Sequence, residues 1–551
     1  MTIDPADFNV LTNAFRSIAA EMGDIMLRSA HSSIVREAKD CSTCLTDASG
    51  RTVAQSEMIP VHMNSLAAAF DYARQKYDIT TLTPEEAIIT NNPYENGQHL
   101  NDIILLLPVF HEGELCAFTG SICHHLEVGG AVAGSNVNAT EIYHEGIVLP
   151  TMRINVERDL YDGPVEQILA ANVRLPDIVI GDFHAQLSAV LRGRTLVQEL
   201  AARHGLPLVR ECMRELQSYS ERMMRETIAA LPDGEYYGED VIDGLKPGDP
   251  PVTVRARVHI RGDEATVDLS ETDDQVTWPI NAPIASTESA VLTVFGLLLG
   301  PDVPTNDGTY RPIKVVARKG SLLNPIHPQS LRARMTSIYR VVTAVKRALG
   351  GAVPEKVAAA GNDCANIITF SQRGPRGYQM FTESVSGGYG AGAHSDGADV
   401  VAQSLSNTAN TPVESIEMDH DFIRLRSYEL IPDSGGAGRH RGGLGIRRVY
   451  EITGDNVLFS RNGDRQDSAP WGLDGGLEAR PSATLIRRGN ETIPVAAAAN
   501  VMVRKGDVIV VETSGGGGFG NPAERDRALV LRDLEDGRIT PEAAAAVYGY
   551  D

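Results

Sequence analysis

The chain has 551 residues, too many for one compact core, and two to four domains are expected. Lys plus Arg number 50 against 72 Asp plus Glu, a net charge of −22, which argues against a nucleic acid or an anionic membrane as partner. The six cysteines, Cys41, Cys44, Cys116, Cys123, Cys212 and Cys364, are too scattered for a disulfide framework and point to reduced thiols in a cytoplasmic protein.

The opening MTIDPADFNV lacks the basic start and apolar run of a secretory leader, and the longest apolar run, Val291 to Leu299, is well short of a membrane span. Asp4-Pro5 supplies a cap and the residue best tolerated at the first helical position. Leu11, Phe15, Ile18, Met22 and Ile25 then mark one face of a helix to about Ser29. Short strands are predicted at Cys41 to Leu45 and Thr52 to Ala54, around an Asp47-Ala48-Ser49-Gly50 turn, and Asn64 is expected to cap a helix through Tyr77. The Cys41-x-x-Cys44 spacing has no second pair to complete a zinc cage, and strand alternation separates the two thiols, so both read as small buried residues. Asp40, preceded by Arg36-Glu37, is a candidate ligand or a carboxylate that orients a ligand histidine.

Asn96 to Gly130 carries the strongest chemical signal. Its apolar runs, Ile103 to Phe110 and Leu115 to Ile122, are joined by His111, Glu112, Gly113 and Glu114, which predicts a hairpin. Folding about Gly113 sets Asp102 opposite His124 and His99 opposite Glu127. His99, Asp102 and His124 then offer two imidazoles and a carboxylate, a set suited to zinc, manganese or iron. Alternation along the strand directs His125 to the other face.

From Val165 the pattern is helical, with Asp182 as the expected cap of Phe183 to His204, His184 in its first turn, and Pro207 opening a helix to about Leu231. VTVRARVHIRGDEATVDLS predicts a hairpin about Arg261-Gly262-Asp263. Thr287 to Leu299 and Ser330 to Leu349 read as helices, the second carrying Arg332, Arg334 and Arg340. Ser386 to Glu417 is too polar for a core and reads as loop; from Ser427 short strands alternate with turns before helices at Pro522 to Asp536 and Pro541 to Val547. The expected fold class is mixed α/β (α+β) and multidomain. It comprises an N-terminal helix plus β-hairpin metal-site domain over 1–160, a helical insertion over 161–232, a central α/β region over 233–425 and a C-terminal β-rich domain with a helical tail over 426–551.

Three glycine clusters, Gly435 to Gly438, Gly442 to Gly445 and Gly515 to Gly520, lack the lysine and hydroxyl of a P-loop and the early strand-turn-helix of a dinucleotide site. Close backbone packing is the better expectation. No G-x-S-x-G elbow or H-E-x-x-H helix is present.

The segments DPADFNVLTNAFRSIAAEMG, REAKDCSTCLTDASGRTVAQSEMIPVHMNSL, NNPYENGQHLNDIILLLPVF, HHLEVGGAVAGS, NVRLPDIVIGDFHAQLSAV, HRGGLGIRRVYE and SGGGGFGNPAERDRALVLRDLEDGRITPEAAAAVYG together resemble the hydantoinase B/oxoprolinase family over nearly the whole chain. That family comprises the B-type subunits of ATP-dependent hydantoinases, lactamases and 5-oxoprolinases, with relatives in acetone and acetophenone carboxylases. The resemblance implies one divalent metal, zinc or manganese, held by His99, Asp102 and His124, the set the hairpin reading selects. Asp40, Glu37 and His125 are then the candidate catalytic neighbours. It also implies a hetero-oligomer with an A-type ATPase subunit of actin-like fold, which binds ATP and magnesium and phosphorylates a substrate oxygen. The expected activity is metal-dependent opening of a cyclic amide after O-phosphorylation, which turns a resonance-stabilised carbonyl into an imidate-like electrophile; the alternative is a ketone carboxylase subunit handling an enol phosphate with CO₂ or bicarbonate. This chain departs from the family pattern at Asp40-Cys41-Ser42, where an aromatic residue is expected after the aspartate, and at His31, where a tyrosine would fit.

Overall fold

The computed structural model describes residues 3–56, 58–132, 138–244, 248–374, 377–401, 403–407 and 410–550. The first helix, Pro5–Ser29, starts as the sequence predicts: Asp4 accepts a bond from the Ala6 amide at 2.7 Å, and Leu11, Phe15, Ile18 and Met22 are buried. It lies against a six-stranded sheet of β1 (Cys41–Asp47), β2 (Thr52–Ser56), β3 (Glu86–Thr90), β4 (Asp102–His111), β5 (Glu114–His124) and β6 (Met152–Asn155), in the order β2-β1-β5-β4-β3-β6.

Both faces of this sheet are covered, which is why β4 and β5 read as continuous apolar runs. Ile103, Leu105, Leu107 and Val109 join Phe15, Met22, Phe183, Leu187 and Val190 in one core. The alternate residues Ile104 and Leu106, with Phe118 and Ile122, pack against Leu66 and Phe70 of the Ser65–Lys76 helix. Each such side chain contributes about 1.5–3 kcal/mol when fully buried. Phe183, Leu187 and Val190 belong to the Pro176–His204 helix, so the segment expected as an insertion over 161–232 shares its core with the N-terminal sheet.

Several helix starts and caps differ from expectation, among them the helix expected from Thr287, which begins at Ile284. Pro176 opens its helix ahead of Asp182, whose carboxylate instead accepts from the His31 and Ser32 amides at 2.7 and 3.0 Å and so fixes the chain leading to Asp40. His184 therefore sits beyond the first turn, 2.8 Å from Glu166. Asn64 precedes the Ser65–Lys76 helix with a left-handed φ of 61° and makes no side-chain cap. The helix predicted from Ser330 begins only at Met335, which leaves Arg332 and Arg334 on a turn.

The central region pairs β7 (Gly234–Ile242), β8 (Val252–Arg261), β9 (Glu264–Asp268) and β10 (Ile313–Val316) in the order β10-β9-β8-β7, against the Ile284–Gly296 and Met335–Gly350 helices. The remaining strands are β11 (Ile367–Gly374), β12 (Gly377–Ser384), β13 (Ile423–Leu430), β14 (Ile446–Ile452), β15 (Val457–Asn462), β16 (Ala483–Arg488), β17 (Glu491–Pro494), β18 (Ala498–Val503) and β19 (Val508–Glu512). They form two sheets, β12-β11-β15-β18 and β13-β14-β19-β16-β17, so β11 pairs with β15 and the β11–β12 hairpin joins a sheet with C-terminal strands, although the sequence reading set it in the central region. Between Ser386 and Glu417, residues 402, 408 and 409 lie outside the described residues; the rest is loop except for the Val413–Asp419 helix. The glycine clusters interlock: a Cβ on Gly442 would meet the Gly516 carbonyl at 1.8 Å, and one on Gly518 the Ala437 carbonyl at 2.2 Å. Close backbone approach accounts for these glycines without a phosphate. Among the described residues no helix is long and apolar enough to cross a membrane.

Candidate metal centre

The β4–β5 hairpin sets Asp102, the first residue of β4, directly opposite His124, the last of β5. The expected register holds from Asp102 to Val109 and slips at Phe110, beside the tight turn in which Glu112 and Gly113 have φ of 51° and 83°. The His124 amide donates to the Asp40 carbonyl at 3.0 Å, which brings the residue ahead of β1 to the same sheet end. His99 does not face Glu127. The Asp102 amide donates to the His99 carbonyl at 2.9 Å, and this turn folds the His99 ring back onto His124, whereas Glu127 accepts from the Leu175 amide at 3.1 Å and the Arg174 guanidinium at 2.8 Å.

Three donor atoms converge as a result. His99 Nε2 lies 3.1 Å from Asp102 Oδ1 and 3.0 Å from His124 Nδ1, and His124 Nδ1 lies 3.1 Å from the same oxygen. Such edges suit one face of a coordination shell with bonds of about 2.0–2.1 Å, whose ligand atoms stand about 3.0–3.4 Å apart. A closed triangle of two imidazole nitrogens and one carboxylate oxygen cannot be satisfied by hydrogen bonds along all three edges, since two protons aimed at the oxygen leave the nitrogens facing each other unbonded. A divalent cation fits this set.

Electrostatics agree with that use. Burial, followed by the nearby Arg334 cation, holds His99 well below the usual imidazole range and so keeps it neutral. Burial opposes ionisation of Asp102, but the Arg334 guanidinium and the hydrogen bonds from the two histidine rings outweigh it and hold the carboxyl well below the usual range. Arg334 donates to Asp102 Oδ2 at 2.7 Å, which fixes the carboxylate and leaves Oδ1 for the two histidines.

The triad lines a cavity of about 70 Å³ with Asp40, His62, Arg332, Arg334 and Tyr339 as its other ionisable groups and Ile59, Val61, Met335, Ala365 and Ile367 as its apolar wall. His62 is a residue the sequence reading missed. Its Nε2 lies 3.9 Å from both Asp40 Oδ1 and Asp102 Oδ2, and its Nδ1 lies 3.1 Å from the Ser42 hydroxyl. That hydroxyl donates to the Cys41 carbonyl at 2.7 Å, so its oxygen accepts from Nδ1–H and the Nε2 lone pair faces the cavity. Burial lowers the His62 pKa, consistent with a neutral ring. Burial pushes Tyr339 well above the usual phenol range, so its hydroxyl keeps its proton. Nothing in the local pattern of MIPVHMNSL singles out His62, and Arg332, Arg334 and Tyr339 come from more than 200 residues beyond the hairpin.

The other predicted residues are distributed as follows. Asp40 reaches the cavity, its side chain 20% exposed and 3.8 Å from His124 Nδ1. Glu37 ends a short helical turn and pairs with Arg36 at 2.9 Å; it is not among the residues lining the cavity. His125 turns to the opposite face, as alternation requires, where its Nε2 lies 3.4 Å from Gln186 and Gln186 donates to the Ile103 and Ser121 carbonyls at 2.8 and 3.1 Å. Its ring is separated from the cavity by the sheet. Cys41 and Cys44 are buried in different cores, and burial pushes the Cys44 thiol up to about 12, which removes a redox pair from consideration.

Known proteins match this chain over nearly its whole length. A protein of Pseudomonas sp. (strain NS671), provisionally named as the B-type polypeptide of a D-/L-hydantoinase, is 34% identical over 99% of this chain and 95% of its own length. The solved structure of the ATP-dependent caprolactamase from Pseudomonas jessenii superposes with a TM-score of 0.92 at 28% identity, covering 100% of this chain and 96% of the matched one. A nucleotide-free acetone carboxylase chain also gives a TM-score of 0.92, at 20% identity over 99% of this chain and 79% of the other, and shows the shared fold. The family model for hydantoinase B/oxoprolinase matches residues 4–522, and the chain belongs to that family.

Proposed function

We propose that this chain is the metal-dependent subunit of an ATP-dependent cyclic amide hydrolase, in which a partner ATPase phosphorylates the carbonyl oxygen of a hydantoin, lactam or 5-oxoproline ring and this chain completes the ring opening. The observation that carries the reading is the convergence of His99, Asp102 and His124 on the wall of a small cavity that also has apolar lining residues. The names of the two full-length relatives, a hydantoinase polypeptide and a lactamase, support the substrate class.

A divalent cation held by His99, Asp102 and His124 would supply Lewis acidity and make water nucleophilic near neutral pH. The chain's own groups do the rest. Arg334 keeps Asp102 ionised and oriented. Asp40, on the cavity wall beside His124 and His62, takes the proton from the attacking water. The His62 lone pair, set by Ser42, orients that water toward Asp40. Ile59, Val61, Met335 and Ile367 hold the ring's hydrocarbon edge and exclude bulk solvent.

The test is to purify the chain with its ATPase partner, measure bound metal by elemental analysis, and assay ring opening of hydantoin, caprolactam and 5-oxoproline with and without ATP. The reading requires stoichiometric metal, ATP-dependent ring opening and loss of both in His99→Ala and His124→Ala. Strict bicarbonate dependence with a ketone substrate, or full activity in both variants, would overturn it.

A further inference from the structure

The turn before the Met335–Gly350 helix delivers two arginines to the cavity, and they are not used alike. Arg334 is tied to the triad: its Nη2 ion-pairs with Asp102 at 2.7 Å and its Nε donates to Ser286 at 3.1 Å and Gln98 at 3.3 Å. Arg332 makes one side-chain hydrogen bond, from its Nη1 to Asn101 Oδ1 at 2.6 Å, and among the described residues no carboxylate forms an ion pair with it. A guanidinium carries five N–H donors in a planar fork, so most of this one is left for the cavity it lines.

Among the described residues the nearby acids make no ion pair with Arg332. Glu127 is taken by Arg174 at 2.8 Å. Glu145 is buried and spends one oxygen on the turn itself, accepting from the Leu331 and Arg332 amides at 2.6 and 2.8 Å and from the Ser330 hydroxyl. The backbone under Arg332 is thereby clamped, while Glu145 and Glu127 act on its charge only through space and, among the described residues, no carboxylate oxygen pairs with its guanidinium. Asn101 fixes the other end: its side-chain amide donates to the His125 carbonyl at 2.7 Å, and its own carbonyl accepts from the His125 amide at 2.8 Å. Arg332 is thus held in register with the strand end that carries His124.

Among the lining groups the Arg334–Asp102 pair cancels and Arg332 balances Asp40, so a divalent cation would leave the cavity with net positive charge and a preference for anions. We propose that Arg332 is the oxyanion receptor of this cavity, binding the phosphoryl group of a substrate whose carbonyl oxygen has been phosphorylated; this rests on the functional reading above. Phosphoryl oxygens match a guanidinium fork two at a time, which lysine cannot reproduce.

The test uses inorganic phosphate as probe, with acetate as the carboxylate comparison, on the full-length chain stripped of metal and, separately, reloaded with Mn²⁺. Binding is read by equilibrium dialysis and by the shift in melting midpoint. Wild type is expected to bind phosphate in both forms and to prefer it to acetate. Arg332→Gln should weaken phosphate binding by about tenfold or more while keeping bound Mn²⁺ unchanged, and Arg332→Lys should fall between the two. Unchanged phosphate binding in Arg332→Gln, no phosphate binding by wild type, or a preference for acetate would each overturn the assignment. If Arg332→Gln folds poorly, as its own melting curve would reveal, the Arg332→Lys comparison decides: binding equal to wild type contradicts a fork-specific contact. Ring opening that needs no metal, together with lost phosphate binding in Arg332→Gln, would leave this inference standing and remove the metal reading; the reverse pattern does the opposite.

Discussion

Asp102 and Asp240 are both buried carboxylates facing arginines, and both are held below the usual carboxylate range, yet their surroundings differ in what they leave over. Around Asp240 every oxygen is satisfied by the protein. Arg465 donates to Oδ1 at 3.1 Å and to Oδ2 at 2.6 Å, Arg340 approaches Oδ2 at 3.4 Å, and Arg340 also donates to Asp464 at 3.0–3.1 Å and to the Asp363 carbonyl at 3.1 Å. That network ties β7 and the Met335–Gly350 helix to the turn after β15, and both oxygens of Asp240 are spent on it. Around Asp102 one oxygen is satisfied by Arg334 and the other faces two histidine nitrogens that compete for it. Saturated charge holds domains together; unsaturated charge at a cavity is available to a ligand.

The sharpest test of that difference exchanges the consequences. Asp102→Asn removes the anion of the proposed ligand set while keeping its shape and its place beside Arg334, and the proposed ring-opening activity should fall by about a thousandfold or more, with bound cation lost as well. The folded protein should persist by circular dichroism. Asp240→Ala should show the converse. Leaving Arg465 and Arg340 buried without their shared acid should cost about 3–5 kcal/mol in a denaturant titration, with metal content per folded chain unchanged.

The pH dependence follows with its sign. Arg465 and Arg340 hold the Asp240 pKa below its unfolded value against the opposing effect of burial, so its contribution is complete above the unfolded carboxylate pKa of about 3.9 and is lost as pH falls through the folded one. The stability gap between wild type and Asp240→Ala should therefore be widest near neutral pH and shrink below about pH 4. A gap that widens in acid would mean that Asp240 is not held as an anion.

The hairpin was legible because its information is local: two apolar runs, a four-residue connection and strand periodicity suffice to set Asp102 against His124. The same arithmetic failed for His99, because strand pairing stops at Asp102 and a backbone turn then decides where the ring goes. The far wall of the cavity was not legible. Arg332 and Tyr339 reach the hairpin only through the packing of the central helix, and the turn that presents Arg332 exists because Glu145 captures its amides, a contact across almost two hundred residues. The helical pattern over Ser330 to Leu349 was read correctly in its body and too early at its start, since nothing in it reveals that Glu145 outcompetes the helix for those donors.

His62 sharpens the comparison on a smaller scale. It touches the cavity with a lone pair fixed from behind by Ser42, so His62→Asn should reduce activity about 10–100-fold while bound metal drops modestly, the usual consequence of losing a group that orients a site without anchoring it. Complete loss of metal in that variant would promote His62 to a full ligand.

The smallest expected effect concerns the two acids that sequence alone could not rank. Glu37 and Asp40 stand three residues apart, but Lys39 with its left-handed φ of 60° turns the chain between them, and the Asp40 carboxylate enters the cavity while Glu37 pairs with Arg36 at the surface. Glu37→Gln should therefore change activity by less than about twofold, whereas Asp40→Asn, which removes the proposed proton acceptor, should cost about 10²–10⁴-fold. Because the surface pair with Arg36 is worth little, Glu37→Gln should leave the melting midpoint unchanged as well. A large loss of activity in Glu37→Gln at constant metal content would mean that the segment between Ser33 and Asp40 rearranges over the substrate, and that the acceptor is Glu37.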